Sequence, residues 1–146
     1  MSLAEMLLRD ELRREPEAPG EIKRLLEAIG RRLEDGGNEA NHPETRLEQA
    51  YHAILTCALV GLRVNGLRPT DRRGHHVVAL ESLSDTLGIS NDRVDYFQML
   101  RDLRNKDLYT GGIHATVSQA DEAIGEAQAL RCELEHWLGE REASSR

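Results

Sequence analysis

The chain has 146 residues, of which 39% are apolar and 31% charged, and its formal net charge is −7. This length suits one domain with its own core, and the shortage of aromatic residues beside long Ala-, Glu-, Leu- and Arg-rich stretches predicts an all-α protein. The negative balance excludes an overall basic field of the kind that drives tight, sequence-independent binding of nucleic acid, so any such contact needs a local basic patch.

The apolar stretches and the cysteines predict a cytoplasmic protein without membrane contact. No basic region followed by an apolar one opens the sequence, and the longest apolar stretch, at 53–62, is much shorter than the about 20 residues of a membrane helix. Cys57 and Cys132 stand singly, which favours a reducing compartment. Phosphate-loop, dinucleotide, hydrolase and zinc-protease motifs are missing from the sequence, so neither a cofactor nor a metal is predicted.

Helical spacing of apolar residues predicts a bundle over residues 20–142. Residues 1–17 are expected to form an arm or a short helix, because two prolines separate them from the rest. The predicted helices begin at Glu21, Pro43, His75, after Ser90 and after Thr116, and residues 143–146 are expected to fray. No strand pattern is present. Short connections between the helices favour an antiparallel up-and-down bundle of four to five helices.

Two of these helices carry recognisable start signals. Ser90 is a good N-cap for the helix that follows it, since its hydroxyl can accept from the first free backbone N–H groups. Thr116 and Gln119 have the spacing of a capping box, in which each side chain binds the other's backbone N–H. The last two helices are therefore expected to start at these residues.

The segment 98–112, QMLRDLRNKDLYTGG, places a cation where an apolar residue is expected. On a helix that turns about 100° per residue and starts at Val94, the apolar arc centres at about 270°, and Arg104 falls at about 280°. Burial of a guanidinium on an apolar face is costly unless a polar group meets it. Such a conflict between residue type and position indicates a candidate functional site.

Structural roles are open alternatives for the residues of this segment. For Arg104 the alternative is an internal salt bridge to an acidic residue of a neighbouring helix, such as Glu81 or Glu122. For Asn105 it is a hydrogen bond to a neighbouring helix or helix end, and for Tyr109 it is packing with the hydroxyl in water.

Basic residues near this segment and in one loop are candidate phosphate contacts. The last turns of the motif helix carry cations that also complement the helix dipole. The loop 68–74 and the two histidines after it form the only clear basic patch in the sequence, for which a solvated loop is the alternative. The candidate phosphate-binding residues are Arg101, Arg104, Lys106, Arg73, His75 and His76.

Four segments carry a family resemblance. They are AYHAI at 50–54, GHH at 74–76, LRDLRNKDLY at 100–109 and VSQADEAI at 117–124. Together they resemble small bacterial HEPN-domain proteins over roughly residues 20–140. The resemblance implies an up-and-down helical bundle, usually dimeric, and in many members a metal-independent ribonuclease of toxin, antiphage or CRISPR systems.

The resemblance also implies the site residues. The family's signature is an Arg, often followed by Asn or another polar residue, with a His four to six residues after the Arg. Arg104 and Asn105 match, whereas Tyr109 stands where the His is expected, and His114 comes only after a Gly-Gly pair. RNA cleavage by the 2′-hydroxyl needs a cation beside the phosphate and a proton carrier, for which Tyr, with an ordinary pKa of about 10, is poorly suited. The candidate catalytic residues are Arg104, Asn105 and Tyr109, and Tyr109 argues against cleavage.

Two functions are compatible with this resemblance. The first is an RNA-directed module of a toxin–antitoxin or defence system, a homodimer in which Arg104 holds a phosphate and Asn105 orients it across the two-fold axis. The alternative is a non-catalytic bundle that binds a nucleotide or a protein partner, such as a nucleotidyltransferase. Both predict a protein that acts through a partner molecule rather than through a cofactor.

Overall fold

The protein is mostly helical in the computed structural model, which describes residues 2–111 and 115–144 and, within them, no side chains of residues 107–110. Six helices and one two-stranded sheet make up the described part of the chain. Tyr109 and His114 lie outside the described side chains. Among the described residues, none of the helices is long and apolar enough to cross a membrane.

The N-terminal segment forms a short helix and a short strand. Helix α1 (Leu3–Leu8) is followed by strand β1 (Leu12–Arg14), which pairs antiparallel with β2 (Leu67–Pro69). Met6 and Leu12 are buried, so the segment contributes to the core. The expectation of no strand is therefore wrong. Strands of three residues are too short to show an alternating pattern, and their pairing depends on contacts far apart in the chain.

Helix α3 is the centre of the molecule. α2 (Glu21–Gly37) and α3 (Pro43–Val64) begin and end close to the predicted residues. α3 is buried on almost all sides, and α2, α4, α5 and α6 all pack against it. A helix that is apolar all round can be stable only when neighbours surround it, which matches its sequence pattern.

The remaining helices complete the bundle. They are α4 (His75–Thr86), α5 (Asn91–Thr110) and α6 (Val117–Ser144). The Ser90 hydroxyl accepts from the N–H of Arg93 at 3.3 Å, and Thr116 and Gln119 bind each other's backbone N–H at 3.1 Å and 2.8 Å. Both predicted helix starts are confirmed.

Helix α5 is anchored by one apolar face. Val94, Phe97 and Leu100 are buried against the neighbouring helices. α5 contacts both α3 and α4, and this contact fixes where the polar residues of its second half lie. The site described next is built from these three helices.

Candidate functional site

Arg104 lies at the edge of the bundle, with 23% of its side chain exposed. It follows the buried Phe97 and Leu100 by two turns and one turn of α5, so the guanidinium is carried onto the face that meets α3. The helical arithmetic placed Arg104 at the centre of the apolar arc, whereas in the structure part of its side chain is exposed. A half-buried cation keeps some access to a ligand and loses part of its hydration.

The partners of Arg104 are on α3. Its Nε lies 3.4 Å from Oε1 of Glu48, and its Cζ lies 5.8 Å from the centroid of the Tyr51 ring. The acidic partners expected from the sequence were different, since Glu81 binds Arg73 instead. An exposed carboxylate such as Glu48 holds an arginine only weakly, and a phosphate can replace it.

Tyr51 joins α3 to α4. The residue is fully buried, and its hydroxyl forms a 2.8 Å hydrogen bond with Nδ1 of His76, the second residue of α4. Burial raises the pKa of the Tyr51 hydroxyl to about 12, so this group stays protonated at neutral pH. The hydrogen bond occupies Nδ1 of the imidazole and leaves Nε2 for other partners.

His52 is the second imidazole beside Tyr51. The two ring centroids are 6.0 Å apart, and Nε2 of His52 lies 3.7 Å from Oε1 of Glu48. Burial, and then the positive charges of Arg32 and Arg104, hold the pKa of His52 below its usual value of 6.5. His52 is therefore predominantly neutral at pH 7.

His76 has the same electrostatic character. Burial lowers its pKa first, and the charges of Arg104, His52 and Arg101 lower it further. Its ring centroid lies 5.8 Å from that of Tyr51. Tyr51, His52, His76 and Arg104 thus gather around one buried ring, and we call them the Arg104 cluster. It offers one fixed cation and two neutral imidazoles.

Arg101 supports the cluster from one turn earlier in α5. Its Nε donates to Oε1 of Gln98 at 3.1 Å, and Nε2 of Gln98 donates to the carbonyl of Val77 at 3.0 Å. This chain of hydrogen bonds ties α5 to the first turn of α4. Arg101 also forms an ion pair with Asp102 at 3.1 Å. The positive charge of Arg101 nevertheless lowers the pKa of His76.

The other residues predicted for the site lie around or outside this cluster. Asn105 is half-buried next to Arg104 in α5, and Lys106 is exposed. The Arg73 guanidinium binds Glu81 and lies 3.3 Å from Glu11, and His75 pairs with Asp71. The basic loop is thus largely neutralised by carboxylates, and of its two histidines only His76 joins Arg104.

A cleft opens beside His76. Its volume is about 600 Å³, within the range of small-molecule sites. The residues that line it together with His76 are Arg13, Leu55, Leu59, Arg68, Pro69, Thr70, Asp71 and His75. His76 therefore belongs to the Arg104 cluster and also lines the cleft, and a ligand in the cleft lies next to its imidazole.

His52 and Glu48 were not among the residues predicted for the site. Glu48, Tyr51 and His52 follow one another at the i, i+3 and i+4 spacing of one helix face, which is visible in the sequence. Residues 53–62 of the same helix are apolar apart from Thr56, so a polar triplet just before this stretch was the available signal. The sequence did not indicate that this face of α3 contacts α5 at Arg104.

Comparisons with known proteins found no counterpart for this chain: no family model matches it, and neither a curated protein nor a solved structure does. What the site can bind therefore follows from its own contacts and charges. Among the described residues, no group of three His, Cys, Asp or Glu side chains is placed to hold a metal ion. A cation and two imidazoles can bind a phosphate and can exchange protons near neutral pH.

Proposed function

We propose that this chain is a HEPN-like module of an RNA-directed toxin–antitoxin or defence system, and that the Arg104 cluster binds a phosphodiester of the RNA. The observation that carries the proposal is the position of Arg104, whose side chain is 23% exposed and whose charge acts on the imidazoles of His52 and His76. A guanidinium offers a planar fork of N–H donors that matches two phosphate oxygens. The imidazole N–H groups add further donors to the same anion.

The charges around the cluster favour an anion over a cation. Arg101 and Arg104 both act on Tyr51 and His76, and the only carboxylate in contact with Arg104 is that of Glu48 among the described side chains. The net charge of the whole chain, −7, repels nucleic acid. Binding is therefore expected to be local, of moderate affinity and dependent on salt.

The test is binding of a fluorophore-labelled single-stranded oligoribonucleotide by the purified protein. Arg104→Ala should weaken binding by about 10-fold or more, because one charge-assisted contact is lost, and the dependence of log Kd on log salt should fall by about one. Arg104→Lys should give an intermediate loss, since Lys keeps the charge but not the fork. Arg31→Ala, at an exposed position of α2, is the matched control and should bind like the wild type.

The opposite result assigns Arg104 a structural role. RNA binding unchanged by Arg104→Ala, together with a clear loss of thermal stability, would mean that its pair with Glu48 only joins α5 to α3. A loss of stability is not expected, because ion pairs of this exposure contribute at most about 1 kcal/mol.

A homodimer is part of this proposal, and one surface supports it. Met99 of α5 is 50% exposed beside Tyr96 and Leu103, next to a groove of about 270 Å³ between α5 and α6. An exposed apolar patch on the motif helix suits a contact between two copies. Met99→Glu should shift the protein towards the monomer in light scattering, whereas Val117→Glu, at another exposed apolar position, should not.

The cleft beside His76 favours a second candidate, a non-catalytic bundle that binds a nucleotide. Its volume of about 600 Å³ is sufficient for one nucleotide, and both apolar and basic side chains line it. Binding of a labelled mononucleotide that is lost in His76→Ala, without any binding of RNA, would favour this candidate.

A further inference from the structure

We propose that Glu48 is an internal competitor for the anion site of the Arg104 cluster, and that its carboxylate leaves when a phosphate of the RNA binds. This inference rests on the proposed function and deepens it. It gives the phosphate a definite place, between α3 and α5, and it makes the free protein an inhibited form. The displacement of Glu48 then determines how tightly the site binds.

The first support is that two side chains converge on one oxygen of Glu48. Nε of Arg104 lies 3.4 Å from Oε1, and Nε2 of His52 lies 3.7 Å from the same atom. Arg104 belongs to α5, whereas His52 follows Glu48 by one turn of α3. A guanidinium and an imidazole aimed at one point are the donors of an oxyanion site, and here a carboxylate of the chain itself fills that point.

The second support is the difference in exposure between the carboxylate and the groups that meet it. The side chain of Glu48 is 49% exposed, whereas those of Arg104 and His52 are 23% and 26% exposed. Cζ of Arg104 lies 5.8 Å from the centroid of the buried Tyr51 ring, and the imidazole of His52 meets the same ring edge-on. Glu48 can therefore turn into solvent while Arg104 and His52 stay in place.

The third support is the positive charge around this point. Burial, and then the charges of Arg32 and Arg104, lower the pKa of His52, with Glu48 acting in the opposite direction. Arg32 of α2 is held beside α3 by a hydrogen bond of 3.1 Å to Oε1 of Gln49. The charges of two arginines thus reach the same imidazole. When Glu48 leaves, this charge favours another anion in its place.

This point is separate from the cleft beside His76. None of Arg104, His52 and Glu48 is among the described residues that line the cleft. A phosphate that replaces the carboxylate of Glu48 therefore binds between α3 and α5, on the other side of the Tyr51 ring from a ligand in the cleft. The two candidate ligands of this protein need not compete.

The competition has a defined effect on affinity. If the site accepts a phosphate only in those molecules in which Glu48 has turned away, the measured affinity is the intrinsic affinity multiplied by the fraction of such molecules. Removal of the carboxylate makes every molecule competent. A change at Glu48 should therefore strengthen binding, whereas a residue that merely positions Arg104 would weaken binding when it is changed.

The experiment measures binding of the labelled oligoribonucleotide by the full chain and by Glu48→Gln. This variant keeps the size of the side chain and removes its charge, so we expect the RNA affinity to rise by about 5-fold. Its melting temperature should stay close to that of the wild type, since an ion pair of this exposure contributes little.

Glu142→Gln is the matched control for net charge. Glu142 is exposed near the end of α6 and lines a groove together with Val64, the last residue of α3, whereas Glu48 lies in the second turn of that helix. The variant changes the net charge by the same amount at a distant place. Its RNA affinity should differ from that of the wild type by less than about 2-fold.

A double-mutant cycle shows whether the effect acts through Arg104. In the Arg104→Ala background, Glu48→Gln should change the affinity by less than about 2-fold, because the carboxylate no longer occupies a guanidinium. The gain of about 5-fold should therefore appear only when Arg104 is present.

Unchanged or weaker binding by Glu48→Gln would overturn this inference and make Glu48 a residue that positions Arg104. An equal gain in Glu142→Gln, or an equal gain without Arg104, would overturn it in favour of a general effect of charge. In each of these cases, binding that depends on Arg104 leaves the proposed function standing. Absence of any Arg104-dependent binding would instead remove the proposed function, and this inference with it.

Discussion

Arg63 donates from Nε and Nη2 to the two carboxylate oxygens of Glu21, at 2.9 Å and 3.0 Å, and only 2% of its side chain is exposed. Its remaining N–H groups donate to the carbonyl oxygens of Glu15, Pro16 and Leu67. All five donors of the guanidinium are therefore used. This one side chain joins the end of α3 to the start of α2 and to the segments that flank the small sheet.

Removal of the Arg63 side chain should destabilise the protein strongly. In Arg63→Ala the carboxylate of Glu21 and three backbone carbonyls each lose the hydrogen bonds that Arg63 donates, and the free energy of unfolding should fall by about 3 kcal/mol or more. Urea denaturation measures this. Arg31→Ala, at an exposed position, is the control and should stay within about 0.5 kcal/mol of the wild type. A similarly small effect of Arg63→Ala would contradict the network.

The same pair makes stability dependent on acid. The hydrogen bond from Arg63, and then the one from the backbone N–H of Ala18, lower the pKa of Glu21 from 4.5 to about 2. A carboxyl with a lowered pKa in the folded state stabilises fully above about pH 4.5, and its contribution is lost as the pH falls towards 2. The melting temperatures of the wild type and of Glu21→Gln should differ at pH 7 and converge between these limits.

The control for this acid dependence is a second glutamate of α2. Glu27 is exposed, so Glu27→Gln should follow the wild-type melting temperature across the whole pH range. If the difference in melting temperature between the wild type and Glu21→Gln stayed constant from pH 7 to pH 2.5, the ion pair would not be the cause of the acid dependence.

Two adjacent glycines at the end of α2 should respond in opposite ways to alanine. A Cβ at Gly36 would clash with Cδ1 of Ile124 and would lie 3.3 Å from the carbonyl oxygen of Arg46, whereas nothing lies within 4 Å of one at Gly37. Gly36→Ala should therefore lower the free energy of unfolding by about 1–2 kcal/mol, because the Ile124 side chain must shift and α3 at Arg46 leaves little room. Gly37→Ala should be neutral or stabilising by up to about 1 kcal/mol.

Thermal denaturation of the two glycine variants, in parallel, gives the comparison directly. Equal stability of the pair would mean that α2 and α6 do not approach each other as closely as the described contacts state.

The capping box of α6 should contribute a smaller amount. Thr116→Ala removes the hydroxyl that accepts from the N–H of Gln119 at 3.1 Å, and should cost about 1 kcal/mol in urea denaturation. Thr116→Ser keeps the acceptor and should retain most of the stability. Ser118→Ala, two residues on in the same exposed turn, serves as the comparison and should have a smaller effect than Thr116→Ala.

The helix ends of this protein could be predicted because local chemistry determines them. The Gly36-Gly37 pair, Pro43, Ser90 and the Thr116 box each act within one turn, and each coincides with a helix boundary in the structure. Helical periodicity alone also predicted that Arg104 lies on the apolar side of α5. These features need no knowledge of which helices are neighbours.

Features that depend on long-range contacts could not be predicted in the same way. Periodicity showed that Arg104 faces inward, and it did not show that the facing residue is Glu48 rather than Glu81. Periodicity also did not show that His52 of α3 lies near Arg104. Both facts depend on the register between α3 and α5, which packing of the whole bundle determines.

The two-stranded sheet has a consequence for the order of folding. β1 and β2 are short, lie far apart in the chain, and can pair only after α2 and α3 have brought Arg14 and Leu67 together. Closing that long loop costs entropy before any ladder bond forms, so the pairing is a late event in folding. In the native state the pairing of β1 with β2 can open again. Residues 12–14 can detach while the helices stay packed, and their amides exchange with solvent through this local opening before those of α3.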